Sequence, residues 1–372
     1  MRVRYAAAVS EIQSSNVVAF YLFDAAESAD LSKVPALIGG PTVPARLAPK
    51  PATPSYVQYD KPPLSFEGEA LGVPEIDGFR TRVRVYDYGV VSVALMRSFE
   101  GTWADFVGLG QLFIENAELE QRAEQLCRVV IDRLHTALVA PREEFLSEDY
   151  LVFTIHALDR PMTGDELMAE RDDEIAAMLR GERQALSPQE KQKVLEHRIS
   201  YLSDDLVVPA WNAAFVYDTV AGAQAALEIV EFANSQLLEY RHYDELLDNQ
   251  LEVIYRRLKR PRWYDKWIGS GYARAAREVH ALFIDVNELT DRTENTLKFI
   301  GDLYAVRLFG LVADRLGLEK WKADVEAKLK TLDDIYRFAV EQSQMSRGQS
   351  LEVMVVLILV FELVLILMGV MK

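Results

Sequence analysis

The sequence contains very little cysteine and histidine. Its 372 residues include one cysteine, Cys127, and five histidines. A single cysteine excludes an intramolecular disulfide framework and is typical of a reducing compartment. The histidines are scattered, and none has a second histidine or cysteine at the spacing of metal ligands. We therefore predict neither a metal site nor a cofactor.

Basic residues are also scarce, since 41 Lys and Arg stand against 57 Asp and Glu, a formal net charge of −16. A general nucleic-acid-binding protein carries an excess of Lys and Arg, so this balance argues against that class. The sequence has no Walker motif and no G-x-S-x-G motif, and Gly108-Leu-Gly110 lacks the third glycine of a dinucleotide-binding loop. Sequence motifs therefore identify no catalytic residue.

The longest apolar run lies near the end of the sequence. Leu351–Met371 has 21 residues, about 31 Å as a helix, which is close to the roughly 30 Å hydrocarbon core of a bilayer. We predict a C-terminal transmembrane helix at 351–371, with a buried core helix as the alternative. The first residues show no signal peptide, so the bulk of the chain is expected on the cytoplasmic side.

Two acids interrupt this run, Glu352 and Glu362. A carboxylate near the middle of a membrane span costs about 2.5–3.5 kcal/mol on insertion scales. We interpret Glu362 as a group that hydrogen-bonds across an oligomer of anchors, and the alternative is a lone acid tolerated in a very apolar helix. The partners expected from this end of the chain are membrane lipid and a second copy or another protein.

Residues 1–217 predict an α/β head domain. Short runs rich in Val and aromatic residues alternate with helical patterns in the order β-α-β-β-α-β, which is the ferredoxin-like order. Residues 41–63 are a proline-rich linker. Residues 163–198 contain two helices that open with capping-box sequences, and their polar faces indicate an insertion on the surface.

Residues 218–350 predict a helical stalk. Apolar residues recur with a period near 3.5, as in an antiparallel coiled coil of three long helices, and a compact bundle is the alternative. The predicted fold class is therefore α+β: a ferredoxin-like head, a long coiled-coil-like stalk and one transmembrane helix.

The segment 255–267 is strongly basic and aromatic in an otherwise acidic chain. In an antiparallel stalk it lies at the end that meets the anchor, where Trp and Tyr favour the lipid headgroup layer and Lys and Arg reach phosphates. The alternatives are cations that complement a helix C-terminus, and contact with RNA or a ribosome. The residues assigned to the membrane interface are Arg256, Arg257, Lys259, Arg260, Arg262, Trp263, Tyr264, Lys266 and Trp267.

Two further features bear on a possible enzyme. A site in the head would lie on the sheet face bearing Tyr86, Tyr88, Trp211 and Asn212. The segment 239–245 is dense in ionisable groups, and we interpret it as a solvated or inter-helix network rather than an active site.

Three stretches resemble the required-for-meiotic-nuclear-division family. They are Asn16–Phe23 followed by Asp30-Leu31, then Tyr88-Gly89-Val90-Val91, and finally Arg347 with Leu351-Glu352 and Glu362. The resemblance implies an α/β head, a helical stalk, one C-terminal span and no catalytic residues, and eukaryotic members are mitochondrial inner-membrane proteins linked to mitochondrial translation. The sequence departs from the family pattern at 41–63 and 163–198. The expected function is a membrane-anchored, non-enzymatic scaffold or tether, with a ribosome or RNA tether or an enzyme as alternatives.

Overall fold

The computed structural model describes residues 11–44, 62–114, 117–182, 184–259 and 303–335, with further helical positions inside 281–287 and 337–360. The chain divides into two compact units. The first comprises the residues up to His242 together with Thr293–Glu319, and the second comprises Tyr243–Arg292 and Lys320–Lys372.

The first unit contains the strands. In the described part of the chain they are β1 (Ile12–Asp24), β2 (Ala26–Ala29), β3 (Val43–Pro44), β4 (Leu64–Glu67), β5 (Glu75–Ile76), β6 (Phe79–Val85), β7 (Val90–Gly101), β8 (Leu138–Pro141), β9 (Ser147–Leu158), β10 (Leu206–Pro209) and β11 (Ala213–Tyr217). Nine of them form one mixed sheet in the order β10-β11-β9-β1-β7-β6-β4-β3, with β5 beside β6. The β9–β11 pair is parallel, and β2 pairs with β8 in a separate ribbon.

The helices follow from apolar periodicity and from local capping. They are α1 (Val34–Ile38), α2 (Trp103–Ile114), α3 (Ala117–Leu134), α4 (Gly164–Arg180), α5 (Pro188–Leu195), α6 (Val220–Lys259) and α7 (Leu303–Leu316), followed by a helical run at 318–335. Thr163 and Glu166 form a complete capping box at the start of α4, which confirms that prediction.

One face of the sheet is apolar and packs against α2 to α5. Alternate residues of a strand point to opposite faces, so the odd-numbered residues of β1, β6, β7 and β9 share this core. Phe106 of α2 meets Phe153 of β9 edge to face at 5.8 Å between ring centroids. A Cβ on Gly110 would lie 2.3 Å from the same ring, so only glycine allows this approach of α2 to the sheet.

The even-numbered residues of these strands point to the opposite face, which α6 and α7 cover. Phe232 of α6 and Phe309 of α7 lie 5.7 Å apart between ring centroids, and Leu308 and Val312 are fully buried. Side chains of α6 also bond directly to β6 and to the end of β1. The sheet is therefore covered on both faces.

The second unit contains the rest of α6 and the helical run after residue 319. Lys328 Nζ lies 2.7 Å from Asp244 Oδ1 and 2.6 Å from Asp248 Oδ1. Leu247 and Val325 are completely buried in the same unit. Two carboxylates one helical turn apart therefore hold one lysine beside an apolar contact.

The predicted fold class is wrong. The sheet has nine strands and is mixed, where a ferredoxin-like head was expected. The described residues contain no long coiled-coil stalk, because the first part of α6 and all of α7 belong to the first unit and pack against its sheet. A narrow apolar stripe serves equally well to cover a sheet, so the period alone did not distinguish the two packings.

The predicted membrane anchor is wrong as well. Across the described residues, no helix is both long enough and apolar enough to span a bilayer. Most of Leu351–Met371 lies outside those residues, and the helical positions described there are 355, 356 and 358–360. The single-pass, tail-anchored localisation with a cytoplasmic bulk is corrected by the same finding.

The segment 163–198 also differs from its expected surface position. Helix α4 buries Leu167 and Met168 in its first half and Ile175, Met178 and Leu179 in its second half. Arg171 between them has non-helical backbone angles, φ −131° and ψ 20°. This kink interrupts the helical period, which is why the apolar face was not recognised in the sequence.

Candidate functional site

The largest collection of buried polar side chains lies between α6 and the sheet. Strand β6 supplies Arg82 and Arg84, because even-numbered positions of β6 point toward α6. The turn to β7 carries Tyr88 and Gly89, and Gly89 has φ 87°. A Cβ there would lie 1.9 Å from the Ala26 carbonyl oxygen, so this turn requires glycine.

The two arginines pair with two acids one turn apart on α6. Arg84 Nη1 lies 2.7 Å from Glu231 Oε2, Arg82 Nη2 lies 3.3 Å from the same oxygen, and Arg84 Nη2 lies 3.6 Å from Glu228 Oε1. The side chains of Arg84 and Glu231 are 3% and 0% exposed. Burial raises the pKa of Glu228 and lowers that of Arg82, since both lose solvation of their charged forms.

A chain of hydroxyl groups continues along α6. Gln236 Nε2 donates to the Tyr88 hydroxyl oxygen at 3.0 Å, and the Tyr88 and Ser235 hydroxyls are 2.6 Å apart. Ser235 donates to the Phe232 carbonyl at 2.7 Å, so Tyr88 is the donor to Ser235. The ring of Tyr86 stacks on that of Tyr88 at 5.1 Å between centroids. Burial raises the pKa of both phenols, which remain neutral donors.

A second group of charges lies at the end of β1. Asp24, whose side chain is 2% exposed, has its Oδ2 2.8 Å from Arg142 Nε and 2.9 Å from His242 Nδ1. The other ring nitrogen of His242, Nε2, lies 3.1 Å from Arg142 Nη2. Because an arginine can only donate, Nε2 accepts and Nδ1 carries the proton given to Asp24. The contacts of both ring nitrogens fix the orientation of the His242 ring.

These ion pairs hold α6 against the sheet, and they involve the same side chains that acid–base catalysis would need. A histidine oriented by a buried carboxylate is a common catalytic pair, but a catalytic base must reach substrate with its second nitrogen. In His242 that nitrogen accepts a hydrogen bond from Arg142. Arg241 also contacts Glu148 at the start of β9, so Arg241 and His242 both pair with residues of the sheet or of the loop beside it.

The structure separates the residues proposed for an enzyme site in the head. Tyr86 is buried and Tyr88 is half-buried beneath α6, whereas Trp211 is 59% exposed. Strands β1 and β9 lie between the β7 side and the β11 side of the sheet. Tyr86 and Tyr88 therefore do not share a cleft with Trp211 or with its neighbour Asn212. Burial also raises the pKa of the Cys127 thiol, which leaves it a poor nucleophile.

The residues proposed for the membrane interface and the span are mostly outside the described part. Arg256 is the one whose side chain is described, exposed and 3.4 Å from Glu252, an ordinary pair one turn apart on α6. Arg257 and Lys259 lie in α6 without a described side chain. The others lie outside the described residues: Arg260, Arg262, Trp263, Tyr264, Lys266, Trp267, Glu352 and Glu362.

Within the described ranges, no group of three or more His, Cys, Asp and Glu side chains is placed to hold a metal ion. The acids closest to the arginines are instead paired with them. The sequence analysis missed this network, although two signals were present. Arginines alternate along β6, and Glu228 and Glu231 recur three residues apart on α6.

Comparison with known proteins gives one family. The model of the N-terminal domain of the uncharacterised protein MJ0711 matches residues 14–224. The uncharacterised protein MJ0711 of Methanocaldococcus jannaschii is 21% identical over 216 residues, which are 57% of this chain and 65% of that protein. This chain therefore spans less than two thirds of the relative's length. No solved structure matches. The matched range contains Asp24, both arginines and Arg142, while the acids on α6 follow it.

Proposed function

Since this chain belongs to the family defined by the N-terminal domain of the uncharacterised protein MJ0711, and its buried charges hold a helix, we propose that it is a non-enzymatic scaffold. In this proposal the sheet and α6 form a fixed platform, and the second unit carries the surface that assembles with another copy of the chain. The ion pairs and hydrogen bonds that join α6 to the sheet and to the end of β1 support the first part.

The observation that carries the proposal is an exposed apolar helical segment in the second unit. Val355, Val356, Ile358, Leu359 and Val360 are helical and between 50% and 58% exposed. At 100° per residue these five positions span an arc of about 200°, roughly half of the helix circumference. Exposed apolar surface of this kind marks an interaction site, because a monomer in water seldom leaves it uncovered.

A second copy of the chain is the occupant that these observations favour. The same segment from another molecule offers an equally apolar surface, and self-association through identical surfaces is the commonest form of protein assembly. A lipid bilayer is the other occupant that the experiment tests. The resemblance to the required-for-meiotic-nuclear-division family supports a scaffold too, since it implies no catalytic residues.

Sedimentation velocity of the full-length chain tests the proposal. The parent is expected to form dimers or larger assemblies, and the triple variant Val355→Ser, Ile358→Ser, Leu359→Asn is expected to sediment as a monomer. The control is Leu303→Ser, which removes a leucine that is 75% exposed in the first unit and should leave the assembly unchanged. A monomeric parent, or a parent that associates only with phospholipid vesicles, contradicts the proposal.

A further inference from the structure

A small cavity lies on the apolar face of the sheet, away from α6. It has a volume of about 50 Å³, which is room for a small chemical group rather than a whole metabolite. Ala19 of β1 and Ala213 of β11 lie on either side of Leu151 in one row across the sheet. Their short side chains leave the space that Phe113 of α2 and Met178 of α4 cover from above.

Two residues that line the cavity carry side-chain oxygen acceptors, Asp149 and Asn212. Asp149 lies at its mouth, directly across from Tyr21 in the pairing of β9 with β1. Asn212 also lines the cavity, and its Oδ1 is shielded from solvent with no hydrogen-bond partner among the described residues. Its backbone carbonyl accepts from the Leu151 amide at 3.1 Å, which fixes Asn212 beside the cavity floor. A buried acceptor without a donor is costly, so a donor is expected there.

The surroundings favour a positive charge. The last turns of α2 and α4 contribute Phe113, Met178 and Leu179 to the lining, and helix C-termini carry partial negative charge. Arg180 in the last turn of α4 is engaged by Glu190. Asp149 is exposed at the surface, and partial burial and the nearby Glu120 carboxylate raise the pKa of its carboxyl group.

We propose that this cavity binds the ammonium group of a primary alkylamine, with Asp149 as counter-ion and Asn212 Oδ1 as hydrogen-bond acceptor. An ammonium is compact and has three N–H donors, so it suits two separate oxygen acceptors better than a planar guanidinium does. The rings of Tyr21 and Phe113 line the same space and favour a cation over a neutral group. The alkyl chain leaves through the mouth beside Asp149.

Calorimetric titration of the full-length chain with n-butylammonium chloride tests this site, against n-butanol at matched salt concentration. Saturable binding of the amine, at least about tenfold tighter than that of the alcohol, is expected because only the amine carries a charge. A peptide Ala-Lys-Ala, blocked at both ends, forms a second arm. Binding of this peptide as tightly as butylammonium identifies a lysine side chain as the ligand, and weaker binding identifies a free amine.

Asp149→Asn is expected to weaken butylammonium binding about tenfold or more, because it keeps the shape and removes the charge. Ala213→Val narrows the cavity and should abolish binding, with circular dichroism confirming that the variant is folded. Glu144→Gln, which neutralises an exposed acid outside the cavity, is the matched control. Equal binding of amine and alcohol, an equal effect of Glu144→Gln and Asp149→Asn, or no saturation by the amine overturns the proposal.

Discussion

The two faces of the sheet are covered by helices in different ways. Beneath α2 to α5 the contacts are apolar, with aromatic rings such as Phe106 and Phe153 fully buried. Beneath α6 the sheet presents charges, and Arg84 and Glu231 are nearly as inaccessible as those rings. Apolar contacts tolerate small shifts of one element over another, whereas an ion pair with short, directed hydrogen bonds does not.

The comparison indicates what each face contributes. Burial of apolar area on the α2 face supplies stability in proportion to that area. A buried ion pair gives little net stability, because the desolvation of both charges offsets their attraction, yet it penalises every arrangement that leaves a charge unpaired. The α6 face therefore determines where the helix lies, and this is the property that a scaffold requires.

The largest effect is expected when one charge of the α6 face is removed. Glu231→Leu leaves Arg84 buried without its main partner, and the free energy of unfolding should fall by about 3–5 kcal/mol. The double variant Arg84→Met, Glu231→Leu should lose less than the sum of the two single losses. Urea denaturation measures all three, with Arg80→Met, an exposed arginine of the same strand, as control. If the losses in unfolding free energy were additive, the difference inferred between the two faces of the sheet would be wrong.

A smaller loss is expected at the end of β1. Arg142→Met leaves the Asp24 carboxylate, 2% exposed, with His242 as its remaining partner. Because Arg142 itself is 29% exposed, we expect a loss of about 2 kcal/mol. Arg133→Met on the exposed side of α3 is the control for the same denaturation experiment. A loss no larger than that of the control would mean that Asp24 does not depend on Arg142.

The smallest effect is expected at Glu228, and it depends on pH. Burial holds the pKa of Glu228 above its usual value, so the folded protein binds the proton more tightly than the unfolded chain does. The stabilisation that comes from this tighter proton binding is complete below the pKa that Glu228 has in the unfolded chain. It is lost as the pH rises through the pKa that Glu228 has in the folded protein. At about pH 7 the free energy of unfolding should therefore fall less for Glu228→Gln than for Glu231→Leu. Toward about pH 4.5 the free energy of unfolding of the parent should rise relative to that of the Glu228→Gln variant. A constant difference between these pH values would contradict the assignment.

Local features of this fold were predictable from the sequence, and long-range ones were not. The strand at Asn16–Phe23 and the turn at Gly89 follow from β-branched residues and a positive φ, which are local properties. The contacts of β6 and of the turn after it with α6 join residues 149 and 147 positions apart in the sequence. The spacing of apolar residues within one segment carries no information about such a distant contact. For this reason α6 was expected in a stalk instead of on the sheet.

The candidate site shows the same limit. Residues 239–245 were interpreted as a solvated or inter-helix network, and the pairing of Asp244 with Lys328 is an inter-helix contact of that kind. Arg241 and His242 instead contact Glu148, Asp24 and Arg142, which come from distant segments of the first unit.

Hydrogen exchange on the full-length chain tests most directly whether the buried charges hold α6 on the sheet. In the Glu231→Leu variant the account predicts that amides of residues 229–240 lose protection, while amides of β9 keep theirs at the level of the parent. Unchanged protection of residues 229–240, or an equal loss in β9, would contradict the account, because the charges would then serve the fold as a whole and not the placement of α6.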